Sequence, residues 1–339
     1  MPFISSARNQ YGPQGKKNTK YRLYQFSSHT FTNAGVTGIS GPNLSQCRSA
    51  YSSAAWAQDS AYFNMTTNGI QEWTTPGVGN YRFTVAGARG GNGGGEDVGG
   101  AILRADIFLN ANQKIYILVG QMGQDRDCAA GGGGGTFVAY ANPSGNSTAW
   151  GVNVSPLIVA GGGSGSRNNS SPTYGQPGQM TTDGGGTGGG TSGGGANGGG
   201  GNGGGTGGAG GFVGNGGNGN NSSLGAFSFV NGGESRQNPS SRQVGGFGGG
   251  STSTCEACNS AAHSGAGGGY SGGYGGSGSG GCYGTSGSGG SFILSTASNV
   301  ATSTGSWTRG STTSALASGS YGNLGGYNQG HGYVTVVRL

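Results

Sequence analysis

Residues 184–211 read GGGTGGGTSGGGANGGGGNGGGTGGAGG, and nothing else in the chain restricts its fold as strongly. Glycine loses more backbone freedom on ordering than any other residue and brings no side chain to bury. Such a run is either a flexible spacer, the ordinary reading of a Gly/Ser tract, or a segment that coheres through its backbone amides. Composition separates the two. The 339-residue chain holds 86 glycines but also 15 Tyr, 12 Phe and 4 Trp, and only 8% of its residues are charged. Solvated disordered chains show the opposite balance, with many charges and few aromatics. A chain like this one folds or aggregates, and folding requires the tract to pair backbone with backbone.

The net charge of +6 is unevenly placed. Residues 1–22 contain Arg8, Lys16, Lys17, Lys20 and Arg22 and no acid, whereas 184–233 and 257–308 carry no charge. A folded nucleic-acid-binding surface needs a basic stripe with interleaved aromatics. Its absence argues against a nucleic-acid partner. No run of 18 apolar residues is present, so no membrane span is expected. The start, MPFISSARNQYGPQGKKNTK, lacks an apolar core followed by a cleavage site, and no signal peptide is expected.

Outside the glycine tracts the chain reads as short strands. YRLYQFSSHTFTN (21–33), YRFTVAGA (81–88), AILRADIFL (101–109), KIYILVG (114–120), GTFVAYA (135–141), SPLIVAGG (155–162), GSFIL (290–294) and GYVTVVRL (332–339) are β-branched or aromatic and bounded by turn residues. YRFTV and ILRADIFL alternate apolar with polar, as half-buried antiparallel strands do. LSQCRSAYSSAAW (44–56) is the one helix candidate. Eight strands fit a mainly β, jelly-roll-like sandwich of two packed sheets. A last strand paired with early ones would make the glycine region an insertion closed at both ends by the sandwich.

The chemistry-bearing residues are sparse. Repeated GxGxxG matches have no helix pattern after them, which excludes a dinucleotide loop. Of the five cysteines (Cys47, Cys128, Cys255, Cys258, Cys282), the CEAC pair with His263 and Cys282 has half a zinc-site spacing. A tight local disulfide involving Cys255, Cys258 or Cys282, or two free thiols in a loop, explains it equally well. No pair of acids suits a two-carboxylate hydrolase, and no nucleophile elbow is present. The expectation is a non-enzyme with no cofactor and no metal. Tyr270, Tyr274 and Tyr283, set in bendable glycine, have the composition of binding loops and are the candidate partner-binding residues. The alternative is that their rings cover the sides of the glycine body or close a subunit contact. Phe212, Phe227 and Phe229 are expected to anchor that body to the sandwich.

Several stretches, in order, carry a family resemblance: FTNAGVTGISGPNLSQCRSAY (31–51), GIQEWTTP (69–76), IYILVGQMGQD (115–125), AGGGGGTFV (130–138), PLIVAGGG (156–163), GGFGGG (245–250) and GHGYVTV (330–336). Together they resemble the glycine-rich extracellular domain of anaplastic lymphoma kinase and leukocyte tyrosine kinase. The resemblance implies a tumour-necrosis-factor-like jelly-roll sandwich with an inserted bundle of polyglycine II helices, left-handed with three residues per turn. It also implies the division of the chain: a leader at 1–22, a sandwich at 23–165 and 290–339, and a glycine bundle at 166–289. His331 recurs in the family at the entry to the last strand, where a structural hydrogen bond is expected. Ala34 stands where the kinase relatives have a cysteine, so Cys47 lacks the partner available there. No kinase and no receptor ligand-contact motif accompany the match, so receptor signalling does not carry over.

The leader PFISSARNQYGPQGK resembles short N-terminal leaders of structural proteins in large phages. That resemblance implies docking to other virion proteins through Arg8, Tyr11, Lys16 and Lys17. The combined expectation is a virion surface protein, a component of a tail fibre, tail tip or capsid fibre, that presents a rigid module to a host glycan or protein. The alternatives are a capsid decoration or connector protein and a secreted matrix protein. Sandwiches of this kind often form homotrimers.

Overall fold

The computed structural model describes residues 22–94, 97–126, 128–142, 153–167, 175–186, 193–220, 223–237, 244–254, 262–276, 284–307 and 319–339. The described chain is mainly β. One six-stranded sheet has the order β1 (Ser28–Phe31), β14 (Tyr333–Arg338), β4 (Gly79–Ala86), β5 (Ile102–Leu109), β10 (Ser298–Thr302), β13 (Gly322–Asn323). The other runs β2 (Phe63–Asn64), β3 (Ile70–Thr74), β6 (Lys114–Leu118), β7 (Thr136–Ala141), β8 (Val154–Ala160), β9 (Phe292–Ile293). Neighbours are antiparallel except β10 and β13. A separate hairpin joins β11 (Ser306–Trp307) to β12 (Gly319–Ser320).

The last strand closes the fold. β14 lies between β1 and β4, with Val336 opposite both His29 and Phe83. Alternation along β4 places Tyr81, Phe83 and Val85 inside, fully buried, and leaves Arg82 and Thr84 half-exposed on the other face. Phe31, Phe63, Trp73 and Leu103 complete the core between the sheets. Burying these large side chains supplies the hydrophobic driving force that the glycine region lacks.

The helix candidate divides. Asn43 caps α1 (Leu44–Ala50) through a reciprocal pair with Gln46, each side chain accepting from the other's backbone N–H. Ser52 and Ser53 follow in a turn, and a short 3₁₀ turn spans Ala55–Gln58. Cys47 on α1 is fully buried and free, and burial pushes its thiol up to about 12.

Among the described residues, segments 193–220 and 262–276 form no regular helix or strand, yet their amides pair across the sequence at a step of three. Gly214, Gly217 and Asn220 donate in turn to the carbonyls of Gly198, Gly201 and Gly204 at 3.1, 2.8 and 2.7 Å. Gly272 and Gly275 donate to Gly199 and Asn202, and Ala226 and Phe229 to Gly208 and Gly211. Contact is backbone to backbone: a Cβ built on Gly200 would lie 2.1 Å from the carbonyl oxygen of Asn215, and one on Gly203 2.1 Å from that of Asn218. Any side chain there would force the segments apart.

The paired glycine body is wider than the 166–289 division. Gly91 donates to Gly131, Gly133 to Gly163 and Gly162 to Gly268, so the connections from β4 to β5, β6 to β7 and β8 to β9 all join it. Several strand connections of the sandwich, rather than one inserted loop, build the body.

A second apolar cluster fixes this body to the outer face of the second sheet. Phe212 and Phe229 stack at 5.0 Å, Phe229 stacks on Phe137 of β7 at 5.0 Å, and Ile70, Tyr116, Leu118 and Phe247 surround them. Two of the three expected anchors are found there. Phe227 differs: it is half-buried outside the cluster, beneath the Arg236 guanidinium at 4.9 Å.

Candidate functional site

The sequence candidates fall in three places. Tyr270 is 5% exposed, with its ring 4.7 Å from Phe292 and 6.2 Å from Phe212. This corrects its reading as a solvent-facing binding residue. The segment carrying it crosses the apolar cluster, where a ring gains more from burial than from projecting into water. Tyr274 is half-buried and lies flat against backbone, since a Cβ on Gly193 would meet its ring at 2.5 Å. Both tyrosines therefore serve first as covers for glycine backbone. Tyr283, the docking candidates Arg8, Tyr11, Lys16 and Lys17, and the disulfide candidates Cys255, Cys258 and Cys282 lie outside the described residues. Cys128, which the spacing left out of the disulfide set, is buried and disulfide-bonded.

The histidines are placed by hydrogen bonds and rings. Nδ1 of His331 accepts from the Met122 N–H at 3.0 Å, the structural bond expected at that position. Nδ1 of His263 accepts from the Gly284 N–H at 3.1 Å, and its backbone pairs with Thr254. His29 stands edge-on to Phe31, Tyr51 and Trp56 at 4.6–4.9 Å, with Nε2 buried and without a conventional partner. That nitrogen is aimed among ring faces, which accept N–H groups weakly. Burial lowers all three below the usual imidazole value, His29 to about 4; the charges of Arg167 and Arg89 add to the lowering at His263 and His331. At neutral pH they are uncharged.

One charged constellation was not anticipated from sequence. Arg89 follows β4 with its side chain only 7% exposed, and donates to Asp97 at 2.7 Å and to Asp125 at 3.0 Å. Asp125 also accepts from the Asn92 N–H at 2.7 Å. Its sequence signal was the charges Arg89, Glu96, Asp97, Asp125, Arg126 and Asp127 set in two glycine-rich stretches. Asp125 and His331 open onto a cleft of about 270 Å³ with Thr37, Gly38 and Val244. Asp97 and Asp125 share the single Arg89 guanidinium, and His331 spends its free lone pair on Met122. The arrangement ties three loops together at the root of the glycine body.

Among the described residues, no group of three or more His, Cys, Asp or Glu is gathered to hold a metal, and no helix is long and apolar enough to cross a membrane. Fold and site together define a mainly β protein whose sheets carry a backbone-paired glycine body. Over 129 residues the chain is 32% identical to the leukocyte tyrosine kinase receptor of Mus musculus. The match covers 37% of this chain and 14% of the receptor, so the chain corresponds to a small part of that protein. It agrees with the sequence resemblance and relates the two proteins in that part. No protein-family model matches.

Proposed function

We propose that this chain is a non-enzymatic virion surface protein, a fibre or tail-tip component that displays a rigid module for host attachment. In this reading the glycine segments are polyglycine II helices, and the sandwich is a tumour-necrosis-factor-like jelly roll. The three-residue step of the amide pairing supports the first, because a helix with three residues per turn repeats its donor direction at that interval. The observation that carries the functional reading is the union of strand ends and glycine body into one backbone-bonded unit. Such a unit holds loops at its tip in fixed positions without a large side-chain core. The basic leader is read as the particle-docking element, and a host surface glycan or protein as the target, with a homotrimer as the assembly. Tyr274 and Tyr283 remain the partner-binding candidates in this reading; Tyr270 does not.

The second reading is a capsid decoration or connector protein with no receptor, favoured by the burial of Tyr270 and the partial burial of Tyr274. Labelling purified particles with an antibody raised against the folded chain separates the classes. Label at fibre or tail tips, with binding of the purified chain to host cells, supports attachment. Even label over the capsid without cell binding supports decoration. Particles that carry no label overturn both and leave a secreted matrix protein.

A further inference from the structure

Among the described residues the first sheet ends at β1, which has a partner strand on one side only. Pairing parity decides which backbone groups face the open side. The Arg338 N–H donates to the Ser27 carbonyl at 2.8 Å, and the register sets Ser28 opposite Val337, His29 opposite Val336 and Thr30 opposite Thr335. Hydrogen-bonded and non-bonded pairs alternate in an antiparallel ladder. Residues 27, 29 and 31 therefore bond to β14, while Ser28 and Thr30 turn their N–H and C=O groups outward. The next outward residue, Thr32, is capped internally: its N–H donates to Tyr51 Oη at 2.8 Å, and its carbonyl accepts from Gln71 Nε2 at 2.9 Å. No such cap meets Ser28 or Thr30 among the described residues. A short exposed strand edge of this kind is a template for another strand.

Ser27, Ser28 and His29 of that edge line one wall of a cleft of about 650 Å³, with Thr30 next along the strand; the other wall is the loop of residues 53–56. Half-buried Tyr24 gives the cleft its aromatic surface, backed by the buried rings of Phe26 and Trp56, and Arg22 is the one charged residue among those lining it.

We propose that this cleft binds an extended, acidic peptide segment of a partner protein, which adds to β1 as a strand. Main-chain pairing to Ser28 and Thr30 supplies register, and alternate side chains of the peptide meet the aromatic surface. Charge complementarity selects the occupant. Arg22 attracts an acidic residue or a chain-terminal carboxylate, and it repels the chain's own leader, which has Arg8, Lys16, Lys17 and Lys20 and no acid. The inference goes beyond the virion reading and does not depend on it.

The test pans the full chain against a displayed library of random peptides of about twelve residues, long enough for a strand and flanks. The strongest binder is resynthesised and measured by calorimetry. Thr30→Pro deletes the outward N–H and leaves the backbone bonds to β14 in place, as edge strands tolerate, while it also removes the exposed Oγ1 contact between Thr30 and Thr335. The expected results are acidic binders, affinity about tenfold weaker for Thr30→Pro and for Arg22→Glu, and unchanged thermal unfolding in both variants. A scan of single N-methyl groups along the peptide needs no protein variant: loss at every second amide supports strand addition. Failure to enrich any peptide, loss that ignores this alternation, or full affinity in Arg22→Glu overturns the proposal. So does a wild-type dimer in sedimentation velocity that Thr30→Pro dissolves, because the edge would then belong to a second copy.

Discussion

The backbone N–H of Met122 donates to Nδ1 of His331 across 209 positions of sequence. The bond pins the loop after β6 to the entry of β14, and it exists only while Nδ1 carries no proton. Burial, then the nearby Arg89 charge, holds His331 below the usual imidazole value; burial alone brings His29 down to about 4. Each folded-state value lies below the unfolded one near 6.5, so the unfolded chain takes up protons first. Stability is therefore intact above pH 6.5 and falls as pH drops from there toward 4. The carboxylates act lower. Arg82 holds Asp106 below the usual range, and at Glu72 the bonds from Lys114 and Thr66 outweigh burial. Their contribution is present above about pH 4.5 and lost beneath it. The expected outcome is a melting midpoint that drops by on the order of 5 °C between pH 7 and 4.5, with His29→Phe removing much of that slope. Equal slopes in the two proteins would refute the assignment to His29.

Substitution inside the glycine body tests whether its cohesion is structural. Gly203→Val places a side chain where 2.1 Å separates the Cβ from the Asn218 carbonyl oxygen. Backbone atoms cannot move aside as a side-chain tip can, so the expected loss is about 3 kcal/mol or more. Gly326 has nothing within 4 Å of its Cβ position, and Gly326→Ala is expected to change stability by less than about 0.5 kcal/mol. Similar denaturation midpoints for the two variants would mean that the segment around Gly203 contributes nothing to the folded unit.

Much of this architecture was legible in the chain. Alternation announced β4 and β5, and continuous apolar runs announced β6 and β8. The strand β3 was not announced, because Gln71 and Glu72 interrupt its pattern. Both are buried, Gln71 between Tyr51 Oη and the Thr32 carbonyl, Glu72 between Thr66 and Lys114. Such polar residues reach the interior only through partners that sequence does not reveal. The glycine tract was recognisable as backbone-cohesive from composition, but which loops join it depends on amide pairing between segments over 100 residues apart. Tyr270 went the other way. Local glycine context suggested an exposed ring, and the distant Phe292 and Phe212 bury it.

Arg89 separates two outcomes that a simple count of ion pairs would merge. Its guanidinium is buried, whereas Asp97 and Asp125 are 50% and 57% exposed. Arg89→Met leaves two acids that water solvates, and is expected to cost about 1 kcal/mol. The double change Asp97→Asn with Asp125→Asn strands a buried cation, and is expected to cost about 3–5 kcal/mol. Urea unfolding of both proteins measures the difference. A reversed order would mean that the carboxylates, not the guanidinium, carry the desolvation cost.

Phe212 and Tyr270 distinguish an anchoring face from a binding face. Phe212 is 3% exposed and stacks on Phe229, which in turn stacks on Phe137 of the second sheet. Phe212→Ala leaves a cavity at the junction of glycine body and sandwich, with an expected loss of about 3–5 kcal/mol. Tyr270→Phe keeps the ring against Phe292 and is expected to cost less than about 1.5 kcal/mol, whereas Tyr270→Ala resembles Phe212→Ala. Hydrogen exchange locates the damage: amides of residues 198–217 should lose protection in both alanine variants while those of β4 and β14 keep theirs. If Tyr270→Ala instead left protection and midpoint unchanged, its ring would be dispensable to the fold, and a role in partner binding would return.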